Sequence, residues 1–134
     1  MQAAKVAVAE RCHAGAYLGH LTFPQIVQAL SEAGFESYMV DYRRNATTYF
    51  LGEGDSVVLD SEGTGEDVAP NFDAEGVAAQ VRWAQASPPG YSYKAFCRNV
   101  KAFGCAGYLV SFPGRRVLYF GRSAETHVEH FPGS

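Results

Sequence analysis

The sequence predicts an α+β fold in which one helix–helix–strand–strand–strand unit occurs twice, at an offset of 70 residues. Apolar stripes at helical spacing alternate with β-favouring segments in the same order in both halves. Gly34 and Gly104, which suit helix ends, are 70 residues apart, and so are Tyr38 and Tyr108 in the following strands. Short hairpin turns favour antiparallel pairing, so we expect a mainly antiparallel sheet of about six strands with helices on one face.

The first repeat, about residues 1–60, begins with two predicted helices. Residues 3–18 carry apolar side chains at four-residue intervals and contain no proline. The second helix spans 24–33, because Pro24 suits a first helical turn and Gly34 can adopt the left-handed conformation that ends a helix. An apolar stripe along this helix predicts that it packs on the core.

Three strands follow, over 35–43, 46–51 and 56–59, since these segments are rich in aromatic and β-branched residues and are separated by turn residues. Residues 60–71 are acidic, contain glycine and lack periodicity, which predicts a surface linker between the repeats.

The second repeat, about 72–131, follows the same order, and we interpret residues 1–134 as a single domain. Asp73 and Ser92 are expected to cap its two helices. The predicted strands are 105–112, 115–121 and a last one within 126–131.

Composition excludes several classes of protein. Of 134 residues, 47% are hydrophobic and 19% charged, which is enough to build a core. The net charge of −3 disfavours nucleic-acid binding. No apolar run reaches the roughly 18 residues of a membrane span and no signal pattern begins the chain, so we expect a cytoplasmic protein. Residues 1–75 hold 12 acids and 4 bases (−8), whereas residues 76–134 hold 7 bases and 2 acids (+5). This charge asymmetry either reflects two solvated faces of one globule or helps subunits to associate.

The three cysteines, Cys12, Cys97 and Cys105, lack the C-x-x-C spacing of zinc or redox sites. Cys97 falls on a helical stripe and is expected to be a core thiol. The sequence contains no phosphate-binding or dinucleotide-binding fingerprint, and we expect no cofactor.

Alternation along the strands places many aromatic residues on one face of the predicted sheet. The residues of this face are Tyr38, Val40, Tyr42, Tyr108, Val110 and Phe112. The opposite face is also apolar, which indicates that both faces are covered. The Tyr-rich face either packs under the helices or binds a ligand or a second subunit, with Tyr42 and Tyr108 as candidate contacts. Trp83 lies off its helical stripe and is either an interface residue or a residue packed under a loop.

The segment 125–130, E-T-H-V-E-H, is the strongest candidate for chemistry. On a strand, Glu125, His127 and Glu129 would share one face, with His130 on the other. His127 and Glu129 could act as an acid–base pair or hold a metal ion, with Asp41 as a further catalytic candidate. A metal would need a third ligand from His13, His20 or Asp41. A solvated edge strand with a cross-strand ion pair is the alternative.

Three arginines surround the last predicted hairpin. Arg115, Arg116 and Arg122 could bind a phosphate or carboxylate group. Around a tight turn, an exposed solubilising role is the alternative.

Two long segments carry a resemblance: FPQIVQALSEAGFESYMVDYRRNATTYF and FCRNVKAFGCAGYLVSFPGRRVLYFGRSAETHVEHFPGS, the second through its closing YFGRSAETHVEHFP run above all. Together they resemble the YdfO-like family of bacterial and prophage-borne proteins, some of which are labelled phage envelope protein. The resemblance implies an α+β fold and a phage-associated setting. It implies no activity, cofactor or catalytic residue.

The leading hypothesis is a non-enzymatic binding or regulatory module that forms a homodimer, because the sequence holds no convincing catalytic constellation. The alternative is a small-molecule or metal-dependent enzyme that uses the 125–130 tail with Asp41. A third hypothesis is a phage accessory protein that binds a host protein through the acidic surface of residues 53–75.

Overall fold

The computed structural model describes residues 1–133. It has four helices and six strands in the predicted order, which confirms the α+β fold class and the two repeats. The elements are α1 Ala3–Leu18, α2 Phe23–Glu32, β1 Phe35–Asp41, β2 Ala46–Leu51, β3 Ser56–Asp60, α3 Ala74–Ala86, α4 Tyr93–Ala102, β4 Cys105–Ser111, β5 Arg116–Gly121 and β6 Thr126–His130.

Side-chain caps fix where the helices begin. Thr22 and Gln25 form a reciprocal capping box at the start of α2. Asp73 and Ser92 accept hydrogen bonds from backbone N–H groups in the first turns of α3 and α4, as the sequence predicts. The N-caps of α2 and α4 lie 70 residues apart, so the repeat includes the N-capping of the second helix in each half.

The sheet has the order β3-β2-β1-β4-β5-β6, and all neighbouring strands are antiparallel. The two repeats therefore meet side by side through β1 and β4. In that pair Met39 lies opposite Leu109, its own equivalent in the second repeat. A pseudo-two-fold axis passes through this residue pair, and the six strands form one continuous sheet across it.

The helices cover one face of the sheet. Side chains on that face are buried, among them Tyr38, Val40, Tyr108 and Val110, each no more than 6% exposed. They form the main core together with apolar residues of the four helices. The prediction that helices lie on one face is confirmed.

The other face of the sheet is not covered by any described element, and we call it the open face. Across it runs a row of residues in register, one from each strand: Val58, Thr48, Met39, Leu109, Leu118 and Val128. The outer two are 48% and 40% exposed. The prediction that both apolar faces are covered is therefore not met within a single chain.

The three cysteines are buried and free, and Cys97 is a core residue as expected. Within residues 1–133, no helix combines the length and apolar character needed to cross a membrane.

Candidate functional site

A cavity of about 790 Å³ lies between the helices and the sheet. Its walls come from both repeats, namely α1 with the loop that follows it and α3 with the loop that leads to α4. Its floor includes Tyr38, Tyr49, Tyr108 and Tyr119 from the helix-covered side of the sheet. These four residues are two pairs of repeat equivalents, so the floor spans the pseudo-two-fold axis. We call this cavity the aromatic cleft.

Aromatic rings also build the walls of the cleft. Tyr17 of α1 meets Tyr93 of α4 edge to face, with ring centroids 5.0 Å apart, and so joins the two repeats. His13, one turn before Tyr17, packs on the same ring at 5.1 Å. Tyr91 packs edge-on against Trp83 at 4.8 Å. Such contacts hold the rings in defined orientations, which gives the cleft a fixed and largely apolar shape.

Polar residues also line the cleft, among them Gln85, Ser92 and Glu129. The hydroxyls of Tyr93 and Tyr108 form a hydrogen bond with each other. Burial raises the pKa of both hydroxyls well above the ordinary value, and neighbouring ionisable groups raise it further. Both tyrosines are therefore neutral at physiological pH and can orient a ligand by hydrogen bonding but cannot supply a phenolate.

A second cavity, of about 350 Å³, adjoins the cleft. The two cavities share four wall residues: His13, Tyr17, Leu18 and Val40. The remaining walls come from the end of β1, residues 60–64 of the linker, and α4 with Cys97 and Lys101. We call this cavity the side pocket. It is the polar extension of an otherwise aromatic space.

Two hydrogen bonds hold the linker against the helices at the side pocket. The His13 ring is hydrogen-bonded through Nε2 to Ser61 Oγ at 3.0 Å. Lys101 Nζ donates to Thr64 Oγ1 at 2.9 Å. Burial lowers the pKa of His13, so the neutral form of its ring is favoured at physiological pH. The segment predicted as a plain surface linker therefore forms one wall of a pocket.

The tail candidates His127 and Glu129 do come together. On β6 they face the helices, and His127 Nε2 is hydrogen-bonded to Glu129 Oε2 at 2.5 Å. Arg82 of α3 donates to Glu129 Oε1 at 2.7 Å. Burial is the largest single effect on Glu129 and raises its pKa. The hydrogen bonds and charges of Arg82 and His127 together outweigh it, so that the pKa lies below the ordinary value. Both carboxylate oxygens are thus engaged by cationic or N–H groups.

The third catalytic candidate does not join them. Asp41 lies on central strand β1 and points to the open-face side, in the same alternation as Met39. Its carboxylate accepts the backbone N–H groups of Arg43 and Arg44 at 3.0 and 3.1 Å, which fixes the turn after β1. The expected convergence of Asp41 with His127 and Glu129 is not found, because strand alternation places them on opposite faces.

The structure also bears on the predicted metal site and on Glu125. Within residues 1–133, no group of three or more His, Cys, Asp or Glu side chains is close enough together to hold a metal ion. Glu125 lies just before β6, where its carbonyl accepts a hydrogen bond from the Gly121 N–H and closes the preceding turn. His130 is exposed on the open-face side, as predicted.

The predicted contacts Tyr42 and Tyr108 are only 6% and 5% exposed, because the helices of the same chain cover them. The Tyr-rich face therefore packs under the helices and does not form an interface with a second subunit, which corrects that part of the sequence interpretation. Tyr108 lines the aromatic cleft and Tyr42 lines the side pocket. Trp83 packs against Tyr91 in the α3–α4 loop, in agreement with the loop alternative.

The three arginines have different surroundings and do not converge on one anion site. Arg115 lies over the Phe131 ring, 5.7 Å from its centroid. Arg116 donates to the Gly114 carbonyl in its own turn. Arg122 donates to the carbonyl of Val68 at 3.3 Å and so attaches the linker to the β5–β6 turn.

Sequence reasoning missed several residues that build the cavities, above all Lys101 and the wall residues Tyr17 and Tyr91. Lys101 carries a detectable signal, because it follows Cys97 by four residues on the buried stripe of α4. A lysine on an otherwise apolar stripe of a helix is either buried with the stripe or interrupts its packing. Tyr91 lies in a loop, and no periodic pattern marks it.

Comparison of the chain with protein-family models gives no match, and comparison with curated proteins gives none either.

Proposed function

We propose that this protein is a binding module that holds one small, largely apolar molecule in the aromatic cleft. The observation that carries the proposal is the cleft itself: about 790 Å³, lined by rings from both repeats and set on the pseudo-two-fold axis. Sites for small ligands typically enclose about 300–1,000 Å³ and combine apolar walls with a few fixed polar groups. The Tyr93–Tyr108 hydroxyl pair supplies such a group at the floor.

The ionisable groups support binding more than catalysis. Glu129 is held by Arg82 and His127, an arrangement that stabilises a charged carboxylate and leaves it a poor base. Burial raises the pKa of Cys97 to about 11 and that of Cys105 to about 12. Both are therefore protonated thiols at neutral pH, unlike the thiolates that act as nucleophiles. The enzyme hypothesis requires Asp41 to lie close to His127 and Glu129, and the three side chains are not brought together.

The cleft is testable with a neutral fluorescent probe, N-phenyl-1-naphthylamine, whose emission rises in apolar surroundings. Ala84 of α3 lines the cleft, and Ala84→Trp would fill part of it. We expect the wild-type protein to bind the probe with saturable enhancement and the variant to bind at least tenfold more weakly. Ala102→Trp on the exposed end of α4 is the matched control and should bind as the wild type does. Equal binding by Ala84→Trp, with an unchanged circular-dichroism spectrum, would contradict the proposal.

We further propose that two copies of the chain associate through the open face. The Tyr-rich face is covered by helices, so a homodimer needs a different surface. Six strands about 4.8 Å apart and about five residues long give a face of roughly 500 Å² per copy. Two copies would bury roughly 1,000 Å², the lower limit for a specific interface. A two-fold axis parallel to the strands sets the acidic first repeat of one copy over the basic second repeat of the other, which is electrostatically favourable.

The association is testable at its centre. Met39→Lys and Leu109→Lys each introduce a charge beside the pseudo-two-fold axis, where two copies would desolvate it. We expect sedimentation equilibrium to give a dimer for the wild type and a monomer for each variant. Ala102→Lys adds the same charge on an exposed helix position and should stay dimeric. A wild-type monomer at about 100 μM protein would end this part of the proposal.

The setting we propose is cytoplasmic and phage-associated. Three buried free cysteines agree with a reducing compartment, where thiols persist. The phage association derives only from the resemblance to YdfO-like proteins, which assigns no role to any residue.

A further inference from the structure

We propose that the side pocket takes the carboxylate head group of the ligand, bound by the ammonium group of Lys101, while the ligand's apolar body lies in the aromatic cleft. This inference rests on the proposed binding function and names the class of ligand: a monocarboxylic acid with an apolar chain or ring.

Lys101 is an unusual residue for its position. It is 3% exposed, although lysine is rarely buried without a partner of opposite charge. Its ammonium group has three N–H donors, and Thr64 Oγ1 accepts one of them. The ion pairs formed by residues 1–133 do not include Lys101. A buried cation with a neutral acceptor and unused donors is the arrangement that an incoming carboxylate completes.

The location of Lys101 makes such a site stable without its ligand. Lys101 lies in the last turn of α4, where the helix dipole favours a positive charge. The helix end thus offsets part of the penalty of burial and leaves the remaining donors for a ligand. The long aliphatic stem packs with the core stripe of α4, which fixes the ammonium at the pocket wall.

The neighbouring groups favour one negative charge and no more. Tyr42, which also lines the pocket, has a buried hydroxyl without a hydrogen-bond partner among the described residues. Three acids also line the pocket: Asp60 and Glu62 are exposed, and the Asp41 carboxylate accepts hydrogen bonds from two backbone N–H groups. These rim carboxylates would repel a multiply charged anion such as phosphate, whereas a single carboxylate is attracted by the buried lysine.

The two cavities share a wall along α1. His13 and Tyr17 belong to the walls of both, with Leu18 on the same helix and Val40 on the sheet below. Because His13 is favoured in its neutral form, Lys101 is the one ionic side chain of the pocket that is buried. A ligand that fills both cavities has its charge at one end and its apolar part at the other.

The test uses dodecanoic acid and dodecanol, two molecules of the same length that differ in the charged head, as competitors of N-phenyl-1-naphthylamine. We expect the acid to displace the probe from the wild-type protein at least tenfold more efficiently than the alcohol. Lys101→Met should abolish this preference and leave displacement by the alcohol unchanged. Lys101→Arg should keep the preference, and so should Lys94→Met, which removes an exposed lysine from the rim of the same pocket.

The outcomes separate this inference from the function on which it rests. Probe binding with equal displacement by acid and alcohol would overturn the head-group site and leave the cleft proposal standing. Absence of probe binding would overturn both. Should Lys101→Met fail to fold, the wild-type protein still decides the matter through the carboxyl ¹³C resonance of bound, labelled dodecanoic acid. A carboxyl pKa lowered on binding supports the contact with Lys101, and an unchanged or raised pKa refutes it.

Discussion

The two repeats agree closely in backbone conformation and differ in the side chains at the edges of the sheet. Tyr38 pairs with Tyr49 in the first repeat, and their equivalents Tyr108 and Tyr119 pair in the second. Each first strand has its irregularity at the same place, immediately after its first residue. The left-handed backbone positions also coincide at the 70-residue offset: Gly34 with Gly104, Asn45 with Arg115, and Gly54 with Ala124.

The outer strands show the clearest difference in chemistry. In the first repeat, β3 turns Val57 and Leu59 toward the helices. The equivalent residues of β6 are His127 and Glu129, which are bonded to each other and to Arg82. Two equivalent backbone positions thus carry apolar side chains in one half and a charged network in the other. Strand pairing fixes the backbone conformation, whereas the edge strands tolerate either apolar or charged side chains at these positions.

A second difference arises where the linker leads into α3. Just after the linker, the Asp73 N–H donates a hydrogen bond to the Phe103 carbonyl at the end of α4. A side chain at Gly121 would meet Phe72 at 2.7 Å, whereas its equivalent Leu51 is an ordinary buried side chain. In the second repeat, Phe72 therefore lies where the first repeat has the Leu51 side chain.

The largest effect that separates the repeats is expected at the glycines that end their second helices. Both have positive φ, 97° at Gly34 and 84° at Gly104, and alanine there costs about 1–2 kcal/mol. At Gly104 a Cβ would also lie 2.1 Å from the Asn71 carbonyl oxygen, whereas at Gly34 the nearest atom is 3.6 Å away. Overpacking adds about 1–3 kcal/mol, so we expect Gly104→Ala to lower the free energy of unfolding by about 2–5 kcal/mol.

Urea denaturation of both variants measures this difference. Gly34→Ala is the matched control, since it shares the backbone conformation without the crowding. Equal losses of stability would mean that the linker moves away from Gly104 without resistance, and the linker would then not be a fixed part of the second repeat.

The next largest effect is expected where the charged network replaces apolar packing. Glu129→Leu alone leaves His127 and Arg82 without their acceptor and should lower stability at pH 7 by about 1–2 kcal/mol. The double variant His127→Val, Glu129→Leu installs the residues of the first repeat. It should return to within about 1 kcal/mol of the wild type, because apolar packing often equals a buried ion pair and Arg82 can extend into solvent.

The same network makes stability depend on pH, with a sign that follows from Glu129. The pKa of Glu129 is lower in the folded than in the unfolded protein. The contribution of Glu129 to the free energy of unfolding is therefore fully present at pH values above its ordinary pKa near 4.5. That contribution is lost as the pH falls through the lower, folded value. Melting curves from pH 6 to pH 3 should therefore show a steeper fall for the wild type than for the double variant. Parallel curves would show that the network contributes nothing to the difference between the repeats.

Much of this fold could be predicted because its signals are local. Caps at Asp73 and Ser92, the glycine stops and the strand patterns are each written in a few neighbouring residues, and the 70-residue offset reinforces every one of them. The pairing of His127 with Glu129 also follows from strand alternation. The partner Arg82 does not, because it lies 47 residues away on a helix whose rotation the pattern leaves undetermined.

The cavities could not be predicted, for a physical reason. Sequence periodicity reports which side chains face the core, but it does not report where the core is incompletely filled. Strand alternation predicts the Tyr-rich face, whereas its role as the floor of a cleft depends on how far apart the two helical pairs lie. The linker offered only its acidic composition, and the contact of Thr64 with Lys101 joins residues 37 positions apart.

The smallest expected effect concerns the last hairpin turn of each repeat, where Gly54 of the first is matched by Ala124 of the second. Ala124 has φ of 69°, a conformation that costs an alanine about 1–2 kcal/mol, and a glycine there would release that strain. Glycine also gives the unfolded chain more freedom, which offsets about 0.4–1 kcal/mol. We therefore expect Ala124→Gly to stabilise the protein by about 0.5–1 kcal/mol in urea denaturation. The reciprocal Gly54→Ala, at a site with open space around it, should destabilise by a similar amount. If Ala124→Gly instead destabilises the protein, the alanine methyl group makes a contact that compensates its strain, and the two turns are then equivalent in backbone only.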